Sequence, residues 1–295
     1  MITIVETPRD AFQGIKQFIP TERKIRIIDL MMKAGFDTVE AGSYVSEKVI
    51  PQMADTTQVL RGLDKKNSRS RVMVLVVNKR GAMRAVRQGT QNCHPPAENR
   101  EQVVVDDLLF PFSTSPTFLK RNLNSTVEKA KATIGELLGI CDLYKKRLIV
   151  YLSMSFGNPY GDPWDPGIVE EYAGFLHGLG LKVIPLSDIL GEVAPATVHD
   201  VYSRVTRSFP DVEFGFHLHS MPGHEYELID AAWQAGVRRF DTVTGGFGGC
   251  PMAHDYMVGN LNTFALVDYC EKNGIAHGLD LEVLKQAARE ISKTI

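Results

Sequence analysis

Short apolar runs alternate with helix-like segments along the whole of this 295-residue chain. Eight apolar runs are each followed by a helix-like segment, and eight such units at this length are typical of a TIM barrel. The competing doubly wound sheet carries a glycine-rich turn after its first strand, whereas residues 7–14 here read TPRDAFQG. The alternation therefore predicts an α/β protein, a (β/α)8 TIM barrel. The predicted strands are 2–5, 36–41, 71–77, 103–110, 147–154, 181–186, 214–219 and 237–243.

The predicted elements describe one catalytic domain over residues 1–295. Residues 6–14 are expected to form a loop, and Thr21 is expected to cap the first long helix. A single long helix is predicted over 122–143, because apolar residues recur there at helical spacing. Residues 274–295 are predicted to form a short helical extension at the C-terminal end of the barrel.

Charge and composition exclude several classes of function. The 33 basic and 35 acidic residues give a net charge of −2, so no basic surface indicates nucleic-acid binding. The hydrophobic content of 44% is that of a soluble globular protein, and no apolar stretch is long enough to cross a bilayer. The chain starts with a strand-like run, and its four scattered cysteines form no CxxC motif. We therefore expect a cytoplasmic protein with free thiols that binds neither nucleic acid nor membrane.

Two histidines one residue apart end the seventh predicted strand. His217 and His219 follow an apolar run that begins at Phe214, and residues i and i+2 of a strand point to the same face. Imidazole is the commonest metal ligand in proteins. A pair of this kind by itself, however, is more often two satisfied core or surface histidines than a metal site.

The barrel prediction adds functional groups from distant parts of the chain. Catalytic groups of TIM barrels lie just past the C-terminal ends of the strands, so polar residues at those positions are expected to converge. A carboxylate, two imidazoles and an amide oxygen suit a divalent ion such as Mg²⁺, Mn²⁺ or Zn²⁺. The sequence therefore predicts a metal site at this end of the barrel. The strand-end residues are Arg9, Asp10, Glu40, His217, His219 and Asn260.

Cys250 lies in the glycine-rich segment 245–251. A free cysteine is usually a small buried hydrophobe, and Cys93, Cys141 and Cys270 are interpreted in this way. The glycines around Cys250 allow backbone to come close to a ligand and allow the loop to move. Its thiol is therefore equally consistent with packing and with a proton donor or acceptor above a metal.

Four motifs together resemble the 3-hydroxy-3-methylglutaryl-CoA (HMG-CoA) lyases, of the metal-dependent lyase barrels that include isopropylmalate and homocitrate synthases. They span nearly the whole chain, and their combination is specific. The Arg-Asp and His-x-His elements belong to the wider superfamily, whereas Pro-Gln-Met and Gly-Gly-Cys-Pro point to the lyase branch. The motifs are VETPRDAFQ at 5–13, EAGSYVSEKVIPQMAD at 40–55, FHLH at 216–219, and GGCPMA at 248–253 with GN at 259–260.

The resemblance implies a divalent-metal-dependent lyase. Its reaction would be the cleavage of HMG-CoA, or of a related 3-hydroxyacyl-CoA, to acetyl-CoA and acetoacetate by a retro-Claisen-type step. The resemblance further implies that Asp10, His217, His219 and Asn260 are the metal ligands. Mg²⁺ or Mn²⁺ is the expected ion, with Zn²⁺ as an alternative.

The resemblance also implies the catalytic residues and the partners. Arg9 would neutralise charge that develops on the thioester oxygen, and Cys250 would be the acid/base of the loop. Glu40 would be a polar group that supports the substrate or Arg9, and His217 would be catalytic as well as a ligand. The implied partners are an acyl-CoA substrate and a second copy of the chain in a homodimer.

The chain departs from the family pattern at Ala11, where glycine is usual, at Ser220 and Met221 after the second histidine, and at Phe264. These changes leave the metal and thiol groups in place and bear on acyl selectivity and turnover. Two alternatives stay open: a condensing enzyme that joins acetyl-CoA to a 2-oxo acid, and a drifted, non-catalytic barrel that binds CoA or a metal. Condensing enzymes usually carry a further C-terminal region, so an end soon after the eighth unit favours the lyase.

Overall fold

A computed structural model of the protein describes residues 2–87, 104–221, 223–248 and 259–294. The strands are β1 (Thr3–Glu6), β2 (Thr38–Ser43), β3 (Arg71–Leu75), β4 (Asp107–Ser113), β5 (Arg147–Ser153), β6 (Val183–Asp188), β7 (Glu213–Ser220), β8 (Arg239–Thr242) and β9 (Gly259–Asn260). Strands β1 to β8 are parallel, each pairs with the next, and β8 pairs with β1. The sheet therefore closes, which confirms the predicted TIM barrel. The short β9 pairs antiparallel with the end of β7.

Helices cover the outside of the barrel. They are α1 (Pro8–Gln13), α2 (Thr21–Ala34), α3 (Thr56–Gly62), α4 (Lys79–Val86), α5 (Pro116–Leu123), α6 (Val127–Tyr144), α7 (Pro166–Gly178), α8 (Pro195–Ser208), α9 (Glu225–Gln234), α10 (Thr263–Lys272) and α11 (Leu281–Ser292), with 3-10 turns at Pro51–Met53 and Lys65–Asn67. Within the described ranges, every helix is too short or too polar to span a membrane.

Three local predictions about the helices are wrong in whole or in part. The segment predicted as a loop, 6–14, contains α1, because fewer than two turns of helix carry too few residues to show a periodic pattern. The helix predicted over 122–143 is present as α6 but begins later, at Val127, since Asn124 adopts a left-handed φ of 48° that ends the separate helix α5. Thr21 is the first residue of α2 rather than its cap, and its hydroxyl donates to Asp55 at 2.8 Å.

The predicted C-terminal helix is confirmed as α11, which packs against α2. Asp280, just before it, donates its backbone N–H to the carbonyl of Ala34 at 2.8 Å. The Asp280 carboxylate accepts the N–H groups of Glu282 and Val283, which caps the helix. The backbone bond from Asp280 to Ala34 attaches the last helix to α2.

Apolar side chains pack against both faces of the barrel sheet. A large cluster lies between the strands and the helices, and a smaller one fills the barrel interior, as is usual for this fold. The interior set is Val5, Met73, Leu109, Ile149, Tyr151 and Val183. Cys141 and Cys270 are free and buried, as expected for packing residues, whereas Cys93 and Cys250 lie outside the described residues.

An ion cluster around the buried Asp107 joins the first residues of three neighbouring strands. Asp107 accepts two hydrogen bonds from Arg71, at 2.9 and 2.6 Å, and two from Arg147, at 3.1 and 2.9 Å. Burial raises the pKa of Asp107, but the two guanidinium groups outweigh it and hold the pKa below its ordinary value. The cluster lies at the N-terminal end of the strands, where polar groups of a TIM barrel serve stability.

The second strand has an irregular register beside Glu40. Its pairing with β3 shifts between Glu40 and Gly42. A Cβ atom added to Gly42 would lie 2.7 Å from Cγ2 of Thr56. The Thr56 hydroxyl is hydrogen-bonded to the carbonyls of Ser43, at 2.9 Å, and Met53, at 2.8 Å, which restricts its movement. The absence of a side chain at Gly42 therefore lets β2 pack closely against α3.

Replacing Gly42 with alanine is expected to lower the free energy of unfolding by about 1–3 kcal/mol, the usual cost of overpacking a buried site. Urea denaturation followed by circular dichroism measures this change. Gly135→Ala is the matched control, because Gly135 lies on the exposed face of α6 with no atom within 4 Å of an added Cβ. The control is expected to be stabilised by up to about 1 kcal/mol, and equal effects of the two substitutions would contradict this account.

Candidate metal centre

Three of the predicted ligands converge at the carboxyl end of the barrel. His217 and His219 lie two residues apart at the end of β7, and Asp10 lies on α1, directly after β1. Only β8 separates β1 from β7 in the sheet. One ligand atom from each of the three side chains lies within 4.8 Å of the others. Closure of the barrel therefore brings together groups that are more than 200 residues apart in the chain.

Asn260 joins this group through β9. Its backbone pairs with that of His219, and its side chain lies against both Asp10 and His219. The Asn260 amide N–H donates to the carbonyl of Phe247 at 3.0 Å, which fixes the orientation of the amide. The residue predicted as the fourth donor therefore lies beside the other three.

Arg9 is fixed by three side chains around it. Its guanidinium donates twice to Glu40, at 2.8 and 2.9 Å, in a bidentate pair. The Nη1 group donates to Asp10 at 2.8 Å and to Gln13 at 2.9 Å. Burial lowers the pKa of Arg9, but the carboxylates of Glu40 and Asp10 outweigh it and raise the pKa above its ordinary value. Arg9 is thus a permanent cation in a fixed orientation.

The two carboxylates beside Arg9 differ in their electrostatics. Burial raises the pKa of Glu40, and the charge of Arg9 offsets this only in part. Burial also raises the pKa of Asp10, but Arg9, His217 and His219 together bring it below its ordinary value. Asp10 is therefore an ionised carboxylate, the form required of a metal ligand.

The two histidines have different surroundings. Nδ1 of His217 lies 3.2 Å from Oδ2 of Asp241, and the His217 ring stacks on Tyr151 with 5.1 Å between centroids. Burial lowers the pKa of His217, but Asp241 outweighs it and raises the pKa above its ordinary value. Nδ1 of His219 is buried without a hydrogen-bond partner among the described residues. Burial lowers the pKa of His219 to about 4, so this imidazole is neutral near pH 7.

The geometry and chemistry of the donor set fit a divalent ion. Atoms that share one ion at about 2.0–2.4 Å are at most about 4.8 Å apart, and the ligand atoms of Asp10, His217 and His219 meet that limit of 4.8 Å. Two imidazoles with a carboxylate form a mixed nitrogen and oxygen set that such ions accept. The unpartnered Nδ1 of His219 is also the kind of buried polar atom that a bound group would satisfy.

Glu6 anchors the segment that follows β8. Its Oε1 accepts the backbone N–H of Thr244 at 2.6 Å, and its Oε2 accepts the hydroxyls of Thr263 at 2.8 Å and Thr242 at 3.3 Å. Burial raises the pKa of Glu6 to about 7, against the opposing effect of these bonds. Thr244 follows β8 and Thr263 begins α10, so one carboxyl group holds the chain on both sides of Asn260.

Three of the departures from the family motifs, Ala11, Ser220 and Phe264, lie in different environments. Gly248, with a φ of +82°, packs so closely on α1 that an added Cβ would lie 2.9 Å from Cα of Ala11. Ala11 itself is buried. The Ser220 hydroxyl is buried without a hydrogen-bond partner among the described residues, and Phe264 packs partly buried against the outer core. None of these side chains displaces a candidate ligand.

Sequence reasoning missed four polar residues of this region. Gln13 lies on α1, within reach of Asp10 at 2.5 Å, and was missed because the segment was predicted as a loop. Asp241 lies in a strand that also carries Arg239 and Thr242, so its charge did not stand out in the sequence. Tyr151 fits an ordinary strand pattern and Glu6 falls at the start of the predicted loop, so nothing in the sequence distinguished them. Cys250 lies outside the described residues, and its role stays a prediction.

Comparison with known proteins gives consistent results. Residues 1–291 match the HMGL-like family model. The chain is 31% identical over its full length to the mitochondrial hydroxymethylglutaryl-CoA lyase of Bos taurus and covers 86% of that protein. It is 32% identical to the cytoplasmic HMG-CoA lyase of Danio rerio and covers 83% of it. An HMG-CoA lyase from Acinetobacter baumannii, solved with coenzyme A and 3-methylmalate, is 28% identical with a TM-score of 0.87, over 100% of this chain and 91% of that one.

The fold and the site define a TIM-barrel protein with a candidate metal centre at the carboxyl ends of its strands. Because the family model spans nearly the whole chain and relatives exceed 30% identity over its full length, the family is established. The chain belongs to the HMGL-like family and is related throughout its length to the HMG-CoA lyases.

The raised pKa of Glu6 predicts a pH-dependent stability. Burial raises the pKa of Glu6 to about 7 in the folded protein, whereas the ordinary pKa of a glutamate carboxyl is 4.5. Glu6 therefore contributes stability that is fully present below pH 4.5 and is lost as the pH rises to 7, on the order of 3 kcal/mol. Urea denaturation at several pH values should show that wild type loses stability over this window relative to Glu6→Gln. A difference between the two proteins that is independent of pH would contradict the assignment.

Proposed function

We propose that this protein cleaves HMG-CoA, or a related 3-hydroxyacyl-CoA, to acetyl-CoA and acetoacetate. The observation that carries the proposal is the convergence of Asp10, His217 and His219 beside the charged Arg9, in a chain of this family. The full-length relatives are lyases, which favours cleavage over the condensing alternative. The retention of these four groups in one place argues against a drifted, non-catalytic barrel.

The proposed metal ligands are Asp10, His217, His219 and Asn260. Mg²⁺ or Mn²⁺ is the proposed ion, and the two imidazoles also make Zn²⁺ an acceptable alternative. A divalent ion held there would lower the pKa of the 3-hydroxyl of the substrate, as metals do for bound water. His217 is proposed both as a metal ligand and as a catalytic residue.

Arg9 is the proposed electrostatic catalyst. Transfer of the 3-hydroxyl proton to solvent water lets the C3–O bond become a carbonyl as the C2–C3 bond breaks, which leaves acetoacetate and the enolate of the acetyl thioester. Negative charge then develops on the thioester oxygen, and a fixed buried cation stabilises it without reorganisation. Glu40 holds the Arg9 guanidinium in a bidentate pair, so it acts by orienting Arg9.

Cys250 is the proposed acid/base. After bond cleavage the enolate carbon needs a proton to become the methyl group of acetyl-CoA, and a thiol has a suitable pKa near 8.5 for this transfer. The motif around it, Gly248 to Pro251, is the one that resembles the lyase branch. Gly248, the last described residue before it, lies against Asp10 and Asn260, with an added Cβ 3.1 Å from each, which supports a position close to the site.

The broader properties proposed for the protein follow its relatives. An acyl-CoA substrate is supported by the coenzyme A complex of the Acinetobacter baumannii enzyme, and a cytoplasmic location by the cytoplasmic enzyme of Danio rerio. We further propose one catalytic domain over residues 1–295 and a homodimer as the assembled form. No role in nucleic-acid or membrane binding is proposed.

The activity is tested with metal-stripped protein that is resupplied with Mg²⁺, Mn²⁺ or Zn²⁺ and incubated with a panel of 3-hydroxyacyl-CoA thioesters. Mass spectrometry should detect acetyl-CoA and a 3-oxo acid only in the metal-supplied samples. Metal-dependent cleavage of HMG-CoA supports the proposal. Absence of cleavage of every thioester with every ion would overturn it.

Arg9→Met is expected to lower kcat at least about 10³-fold, equivalent to about 4 kcal/mol of lost transition-state stabilisation. The substitution also leaves Glu40 buried without its partner, which by itself destabilises the protein. The double variant Arg9→Met/Glu40→Gln removes that isolated charge and serves as the control. Its thermal stability should recover towards wild type while kcat stays low. Recovery of kcat together with stability would show that Arg9 has only a structural role.

Cys250→Ser is expected to retain folding and Mn²⁺ binding but to lose at least about 10²-fold in kcat, because the pKa of a hydroxyl lies far above that of a thiol. Alkylation of wild type should inactivate it with a stoichiometry near one at Cys250, and a substrate analogue with Mg²⁺ should protect it. Cys141→Ser is the matched control, since that thiol is buried on α6. Full activity of Cys250→Ser would leave Cys250 as a packing residue.

A further inference from the structure

A buried polar network lies directly beneath His217 inside the barrel. Oδ2 of Asp241 lies 3.2 Å from Nδ1 of His217, and the same oxygen accepts a short hydrogen bond from the Tyr151 hydroxyl. The Tyr151 ring also stacks on the imidazole at an interplanar angle of 25°. His217 is therefore held in two ways, by a hydrogen bond along its ring edge and by an aromatic contact on its ring face.

Arg239 lies close enough to Asp241 to balance its charge. Arg239 lies two residues earlier on β8, so its side chain points to the same side of the strand. Its Nε lies 3.7 Å from the second oxygen of Asp241, and its side chain is only 1% exposed. The Tyr151 ring belongs to the apolar interior of the barrel. A carboxylate in such surroundings requires a compensating cation, and Arg239 supplies it.

An ionised carboxylate can only accept hydrogen bonds. Asp241 therefore selects the form of His217 that carries its proton on Nδ1, and in a neutral imidazole the lone pair is then on Nε2. We infer that Tyr151 and Asp241 are positioning residues, which fix the ring orientation and tautomer of His217 so that Nε2 faces the metal centre. The inference rests on the proposed metal role of His217.

The second histidine, His219, is held by a different set of contacts. Nδ1 of His219 lacks a hydrogen-bond partner among the described residues, although it is buried. The orientation of His219 comes instead from its strand pairing with β9 and from the neighbouring Asn260. The two histidines are thus held differently: a carboxylate contacts Nδ1 of His217, whereas His219 is held by the backbone of Ile189 and the side chain of Asn260.

Mn²⁺ affinity tests this inference without any measurement of turnover. Asp241→Asn keeps the size of the side chain but can donate to Nδ1, which places the proton on Nε2. Mn²⁺ binding, measured by electron paramagnetic resonance, should weaken by about 10- to 100-fold, the usual effect of losing a group that supports a ligand. Tyr151→Phe keeps the stacked ring and removes only the hydroxyl, so a smaller loss of about fivefold is expected.

Tyr202→Phe is the matched control. Tyr202 is also buried, and its hydroxyl donates to the carbonyl of Gly215 on β7, the strand that carries His217, at 2.7 Å. Among the described residues, its hydroxyl bonds only to that carbonyl and not to Asp241 or His217. Its loss should therefore lower thermal stability as much as Tyr151→Phe does, with unchanged Mn²⁺ affinity. Equal losses of affinity in Tyr151→Phe and Tyr202→Phe would overturn the inference, because a general structural effect would then explain both.

The tautomer is measured directly by nitrogen-15 NMR of the metal-free protein at alkaline pH, with His217→Gln to assign the signal. Wild type should show His217 protonated on Nδ1. A proton on Nε2 in wild type would overturn the inference even if Asp241→Asn does not fold. Mn²⁺ binding in wild type without cleavage of any thioester would overturn the proposed function alone, whereas no Mn²⁺ binding would overturn the metal role and this inference together.

Discussion

Closure of the barrel between β1 and β8 is the constraint on which the candidate site depends. Residues 3–6 pair in register with residues 239–242, so the first strand of the chain lies beside the last strand of the barrel. Asp10 follows β1, and β7 with its two histidines lies on the other side of β8. The ligand cluster exists only when this seam is closed. Binding of the proposed metal would therefore be coupled to folding, because the unfolded chain has no preformed site.

Two buried networks next to this seam pair charges of opposite sign. Arg9 lies between Glu40 and Asp10, and Asp241 lies between Arg239 and His217. Desolvation makes an unpaired buried charge costly, so such pairs persist where a protein uses the charges. Each network contacts a candidate ligand. The electrostatics that keep the charges stable thus also fix the orientation of the ligands.

Polar residues at the N-terminal ends of the strands stabilise the fold, whereas those at the carboxyl ends form the candidate site. At the N-terminal ends of the strands, Asp107 satisfies two arginines and faces no candidate ligand. At the carboxyl ends, Glu6 ties the chain on both sides of Asn260 to the end of β1. Its high pKa shows the cost of burying a carboxyl group there. The anchoring of this segment is what places Asn260 against Asp10 and His219.

The sequence by itself determined the barrel and predicted that three candidate ligands converge. Alternating apolar runs predict the strands because strand burial is read from local composition, and the rule of strand ends predicted Asp10, His217 and His219 as neighbours. Only the tertiary structure decided which side chains support them. Gln13 depends on a helix of six residues, too short to leave a periodic pattern. Asp241 meets His217 from the neighbouring strand β8, and Tyr151 meets it from β5, with β6 between them. The pairing of strands in the closed sheet sets both contacts, and no local pattern encodes that pairing.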